Sequence, residues 1–94
     1  MNKKIEIRIY SPSIDQHRRH RSTHTADMVI LRLTSGDMGI LPNHMPATMV
    51  LANGIARLYN DNIITNIVLS GGIAQVSDDI ITILTNKAEV AETE

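Results

Sequence analysis

Leu69-Ser70-Gly71-Gly72-Ile73-Ala74-Gln75-Val76 is the stretch from which the rest of the chain is best read. An apolar, β-branched run over residues 63–69 leads into the glycine pair, and a second run over 73–76 leaves it. Two glycines inside a strand pattern weaken it, because they lose much backbone freedom on folding and bring no side chain to pack. They mark a bulge, a tight bend or the close approach of another backbone. A β-rich run bent at one point therefore predicts a structural corner at Ser70, Gly71 and Gly72, of the kind found in sandwiches.

Working outward, Asp78-Asp79 reads as a hairpin turn leading to a strand over residues 80–84. Upstream, Asn60-Asp61-Asn62 reads as the loop of a hairpin between strands 55–59 and 63–69. Ala52-Asn53-Gly54 reads as a turn, and Pro46 opens a strand over 47–51. Residues 38–42 form a short apolar piece stopped by Pro42, after a turn at Thr34-Ser35-Gly36-Asp37. Residues 28–33 carry strand character, with Val29, Leu31 and Leu33 on one face. Ile5, Ile7 and Ile9 alternate with Glu6, Arg8 and Tyr10, the pattern of a half-buried strand, which Ser11-Pro12-Ser13 ends. Residues 15–27 are polar and basic, an exposed loop or a polar edge strand. Short strands every eight to twelve residues predict an all-β sandwich or barrel. The expected domain is 1–86, followed by a polar tail over 87–94 with at most a short helical turn.

Ninety-four residues fit one domain, whose core must come from Ile, Val, Leu and Met because Phe and Trp are absent. There is no cysteine, so disulfides and thiolate sites are excluded. A formal net charge of −1 exerts no general pull toward nucleic acid or acidic membranes. Glu6 and Arg8 interrupt the apolar residues after the basic start, which argues against a secretory signal. Membrane association is expected only through partners.

Few residues have the makings of chemistry. His17, His20 and His24 have a spacing that could gather imidazoles on a metal. Arg18, Arg19 and Arg21 between them disfavour a cation, so the expectation is a solvated polar edge and no metal site. The same basic segment lacks the aromatic residues that stack nucleic-acid bases, apart from Tyr10. A patch meeting an acidic partner surface is a further option. Ser70 before two glycines resembles an oxyanion loop, but a serine without a placed base and acid is not a catalytic site. His44, framed by Pro42 and Pro46, has no nucleophile in a recognisable motif. No catalytic residue and no cofactor is expected. Met38, Met45 and Met49 cluster around the prolines and suit either a core or an adaptable contact surface.

Three signatures in order carry a family resemblance. Gly36-Asp37-Met38-Gly39-Ile40-Leu41-Pro42-Asn43-His44-Met45-Pro46 is close to G-E-x-G-I-L-P-G-H-A-P. Leu69-Ser70-Gly71-Gly72-Ile73-Ala74-Gln75-Val76 contains S-G-G-x-x-x-V, and Ile81-Thr82-Ile83-Leu84 follows where V-T-V-L is expected. On these the sequence resembles the epsilon subunit of bacterial F-type ATP synthases, over nearly the whole chain. The resemblance implies a flattened antiparallel β-sandwich of about ten strands. It implies a non-catalytic rotor role at the foot of the central stalk, at the cytoplasmic face of the bacterial inner membrane. The partners it implies are the gamma subunit, at His44, Met45, Pro46 and Met49, and the c-ring, at a loop with Asp37 and Met38. Relatives continue into a two-helix hairpin that inhibits hydrolysis or binds ATP. This sequence stops about where that hairpin would start, and it has no phosphate-binding loop, so no ATP binding by the chain alone is expected. Asn43 stands for the usual glycine, Met45 for the usual alanine, and residues 17–24 depart from F-S-G-x-V. The alternatives are a free-standing β-sandwich binding module and, through the histidines, a metal protein.

Overall fold

The computed structural model describes residues 3–12 and 19–93, with backbone alone for 19, 20, 92 and 93. Among them are eight strands and no helix: β1 (Ile5–Pro12), β2 (Arg19–Ala26), β3 (Met28–Leu33), β4 (Gly36–Ile40), β5 (Ala47–Asn60), β6 (Ile63–Ser77), β7 (Ile80–Leu84) and β8 (Ala88–Thr93). The basic segment is thus a polar edge strand, β2, from Arg19 onward.

The ladder runs β2-β1-β7-β6-β5-β3-β4, with β8 also on β6. All pairs are antiparallel except β1 with β7. Buried side chains from β1 through β7 form one cluster, so this continuous ladder closes on itself as two layers around a single core. The long strands β5 and β6 serve both layers. Residues 73–77 of β6 pair with β7, whereas its residues 65–69 pair with β8. Counting the two halves of β5 and of β6 separately turns eight elements into ten segments, in line with the expected number.

The division falls at the glycine pair. In β6 the buried residues are Ile67 and Leu69 on one side of the pair and Ala74 and Val76 on the other. Since side chains of a strand alternate, this change from odd to even positions is a one-residue shift of phase. β5 makes the same shift, from Met49 and Leu51 to Ala56 and Leu58, and the register passes from Leu51↔Gly72 to Asn53↔Ser70 unbroken. Because both strands shift at one level, neither turns its apolar set to water.

Three readings of the sequence are corrected by the fold. Ala52-Asn53-Gly54 is not a turn, because β5 runs straight through it. Gly54 lies under the stem of Arg32, whose Cγ would stand 3.0 Å from a Cβ there, so its lack of a side chain serves a close approach. Residues 88–93 are a strand rather than a free tail or a helical turn. β7 leaves the first half of β6 with an open edge, and β8 satisfies those backbone groups from Thr65 to Leu69. The sandwich also contains one parallel pair among its described strands, β1 with β7, since both run the same way beside each other.

The turns follow their sequences. Asp78 and Asp79 both have positive φ, 54° and 61°, which makes the two-residue link between Ser77 and Ile80 a type I′ hairpin turn. Asp61, at φ 55°, serves the β5–β6 hairpin.

Candidate partner-docking surfaces

The Pro-framed loop over residues 41–46 follows β4 and is pinned to the body. Asn43 adopts φ 68°, a conformation that asparagine tolerates better than most residues. Its N–H donates to Asp79 Oδ1 at 2.6 Å, and its side-chain oxygen accepts from Lys3 Nζ at 2.9 Å. Lys3 also pairs with Asp79 at 3.0 Å. The Asn43 N–H, then Lys3, hold the Asp79 carboxyl below the ordinary carboxylate value. A second polar knot lies beside β1. Lys4 Nζ contacts Asp27 Oδ1 at 2.6 Å and Asn60 Oδ1 at 2.8 Å, and the Asp61 N–H donates to Asp27 Oδ2 at 2.7 Å. The hydrogen bond from Lys4, then the Asp61 N–H, lower the Asp27 carboxyl. The same bond to Asp27 is the main cause that raises Lys4.

On this anchored loop, His44 Nδ1–H donates to the Met45 carbonyl at 2.7 Å. Met45 is 77% exposed, and Leu41 and Pro46 are exposed beside it. Met49 does not join them. It is 7% exposed and belongs to the core, which corrects its placement on a gamma-facing surface. The strand begins only at Ala47, so the alternation that would align Met45 with Met49 does not extend across Pro46. Within β5, Met49 shares the inward face of Leu51.

Asp37 and Met38 lie in strand β4, not in a loop; the turn is Thr34-Ser35. As neighbours in a strand they point to opposite faces. Met38 is opposite the buried Leu31 and is exposed at the sheet edge. Asp37 faces outward between two arginines, at 3.6 Å from Arg32 and 3.7 Å from Arg57. Four residues of extended chain, roughly 13 Å, separate Asp37 from Leu41 and the Pro-framed loop.

Ser70, Gly71 and Gly72 sit where four strands meet. The Ser70 N–H donates to Lys87 O at 3.0 Å, the buried Thr85 hydroxyl donates to Gly71 O at 2.7 Å, and the Thr85 N–H donates to Tyr10 O at 3.1 Å. These bonds go to backbone carbonyls, as a structural joint requires. His17 lies outside the described residues, as does the side chain of His20. Among the described residues no three metal-ligating side chains come together. His24 is half-buried, and burial lowers its imidazole below the ordinary value.

Two surface features escape the sequence reading. Val50, Ile73 and Leu84 are all exposed and pair across β5, β6 and β7, and Tyr10 of β1 continues the row. Their signal is the outward half of each period-2 pattern, an apolar residue where a polar one is expected. The other is the groove around Arg32 and Arg57. Its strands are distant in sequence, so only pairing brings the two arginines together.

The family described as ATP synthase, Delta/Epsilon chain, beta-sandwich domain, matches residues 14–91. The ATP synthase epsilon chain of Bacillus subtilis (strain 168) is 44% identical over 66 residues, which cover 70% of this chain and 50% of that one. The chloroplastic ATP synthase epsilon chain of Zygnema circumcarinatum is 37% identical over 87 residues, covering 93% of this chain and 62% of its own. This chain therefore spans less than two thirds of these relatives. Among solved structures, a chain of the Euglena gracilis mitochondrial ATP synthase, in an OSCP/F1/c-ring structure, matches with TM-score 0.72 and 25% identity, over 90% of this chain and 53% of that chain. A chain of the Tetrahymena thermophila mitochondrial ATP synthase, from a structure of the central stalk and c-ring, gives TM-score 0.70 over 94% of this chain and 67% of that chain. Its identity of 14% is evidence of fold alone.

Proposed function

The chain belongs to the ATP synthase delta/epsilon chain family, matching its β-sandwich domain, and from that premise we propose that it is a non-catalytic central-stalk subunit of an F-type ATP synthase. It links a gamma subunit to the c-ring and so helps couple ion flow to ATP synthesis, at the cytoplasmic face of the bacterial membrane. Its role is mechanical, and the catalytic sites belong to other subunits. The family match over residues 14–91 carries this reading.

The surface supports it physically. A row of exposed apolar side chains across β5, β6 and β7, with the half-buried Tyr10 of β1 at its end, fits a subunit with a partner better than a free monomer. The docking loop presents His44, Met45 and Pro46 to gamma, with Leu41 at its rim. Two prolines and the Asn43–Asp79–Lys3 anchor restrict the loop beforehand, which lowers the entropy lost on binding. Methionine moulds itself to an apolar partner surface. Asp37 and Met38 form the ring-facing part.

Capture of the chain by its cognate gamma subunit tests the reading. Burying one methionine contributes about 1.5–3 kcal/mol, so Met45→Asp, which also buries an unpaired charge, should weaken capture at least roughly tenfold. Its melting temperature should stay at the parent's, because Met45 is exposed and lies outside the strands. Undiminished capture would remove this loop from the interface.

A further inference from the structure

The chain has no cysteine, so the thioethers of its methionines are the only sulfur it offers to a peroxide. Four of its five methionines lie among the described residues, and the fold sorts them by access. Met49 is 7% exposed and packs in the core, and Met28 is half-buried. Met38, on strand β4, is 38% exposed, and Met45 is 77% exposed. An oxidant must reach sulfur to react with it, so Met45 is the first of the four to be oxidised.

The setting of Met45 keeps its sulfur in the open. The residue lies between β4 and β5, so it has no partner across a strand ladder. Two residues earlier, the Asn43 N–H is bound to Asp79 and the Asn43 side-chain oxygen to Lys3. Directly after it, Pro46 fixes its own φ. The backbone is restrained on both sides, and the exposure is built into the loop.

We propose that Met45 is a reversible oxidation site whose sulfoxide keeps the chain from docking to gamma, a regulation that rests on the proposed function. The oxidant is hydrogen peroxide. The thioether sulfur attacks one peroxide oxygen and the O–O bond breaks. That oxygen stays on sulfur as the sulfoxide, and the other leaves as water. Sulfur gives up the two electrons that peroxide accepts. A methionine sulfoxide reductase reverses the change, with two thiols becoming a disulfide while the oxygen leaves as water. The oxidised side chain is polar and chiral, beside the exposed apolar Leu41 and Pro46. Covering its S=O dipole with an apolar surface opposes docking, because the oxygen loses its water and gains no donor. The fold does not depend on this side chain, so oxidation acts on assembly alone. A free chain presents the sulfur, and a docked partner covers it. Alanine, usual at this place in the signature, has no sulfur to oxidise, so the sensitivity belongs to sequences with methionine here.

The test treats the folded chain with dilute hydrogen peroxide, removes the peroxide, and follows each methionine by peptide mass spectrometry. Met45 should be oxidised several-fold faster than Met38, and Met49 slowest, with the melting temperature unchanged. The oxidised chain should be captured several-fold more weakly by untreated cognate gamma, and the reductase with a thiol should restore capture. Met45→Leu keeps an apolar side chain without sulfur, so its capture should match the parent's and resist peroxide. Chain already bound to gamma should oxidise at Met45 more slowly than free chain. The proposal is overturned if Met38 reacts as fast as Met45, if the oxidised chain is captured like the parent, or if peroxide weakens capture of Met45→Leu equally. Met45→Asp separates this failure from that of the docking reading. If Met45→Asp loses capture while the sulfoxide does not, the loop stays in the interface and the oxidation proposal falls. If neither changes capture, the loop leaves the interface and the proposal falls with it.

Discussion

Replacing Gly72 by alanine should be among the most damaging single-methyl changes this chain can suffer. A Cβ on Gly72 would lie 2.0 Å from the Leu84 carbonyl oxygen and 2.9 Å from both Leu84 C and Thr85 Cα. All three are backbone atoms, so no side chain can swing away, and the end of β7 must move by more than 1 Å to restore an ordinary carbon–oxygen contact of about 3.3 Å. The φ of 116° is also a region that residues with a Cβ seldom occupy. Strain of that kind costs about 1–3 kcal/mol. Moving the end of β7 also disturbs the Thr85–Gly71 and Thr85–Tyr10 hydrogen bonds, each contributing about 1 kcal/mol. The expected loss is about 2–4 kcal/mol, from a domain whose total is on the order of 5–15. At about 4–8 °C per kcal/mol, the melting temperature should fall by roughly 10–30 °C. Circular dichroism at 218 nm during heating measures it. Gly71→Ala, with φ 65° and nothing nearer than 3.5 Å, should cost less, and Gly39→Ala, with open space around it, least of all. A Gly72→Ala protein melting within a few degrees of the parent, or a reversed order of the three, would refute the account of the corner.

Met49→Asp should remove much of the domain's stability and lower its melting temperature steeply, because an unpaired carboxylate in the core costs on the order of 3–5 kcal/mol, whereas Met49→Leu should cost less than about 1.5. A Met49→Asp chain with the parent's melting curve would return Met49 to the surface. Asp27 is depressed in the fold, so it stabilises the chain above its ordinary value of 3.8, and that contribution is lost as pH falls through the lower folded value. Melting temperatures taken from about pH 5 down to about pH 2 should therefore fall more steeply in the parent than in Lys4→Met, which removes the main cause; parallel curves would refute it.

Much of the fold is legible because its patterns are local. Ile5, Ile7 and Ile9, and Ile81 and Ile83, alternate with polar or half-exposed neighbours, and all five are buried. Asp78-Asp79 and Asp61-Asn62 are turns by their own chemistry, with Asn60 already the last residue of β5. What escapes the sequence is set by distant partners. Gly54 has the composition of a turn, but its reason is Arg32, twenty-two positions earlier, crossing over it. β8 has no apolar stripe and forms because β6 has an edge to fill. The same limit applies to the candidate surfaces. Met45 is legible as exposed because prolines frame it. Asp37 cannot be seen to share two arginines until β3, β4 and β5 are aligned.

Asn43 and Met45 are the two departures from the signature in the Pro-framed loop, and the structure treats them differently. A glycine at position 43 would reach φ 68° with less strain, but it would bring no side chain. Asparagine tolerates that conformation and returns a hydrogen bond from Lys3, so the backbone requirement is met and the loop gains a tie to the N-terminal segment. Met45 meets no such requirement, since its side chain is 77% exposed. A large apolar group kept in water beside a pinned backbone gains nothing for the isolated fold. Its burial energy can be realised only when something covers it, and the anchor at Asn43 ensures that little order has to be imposed when that happens.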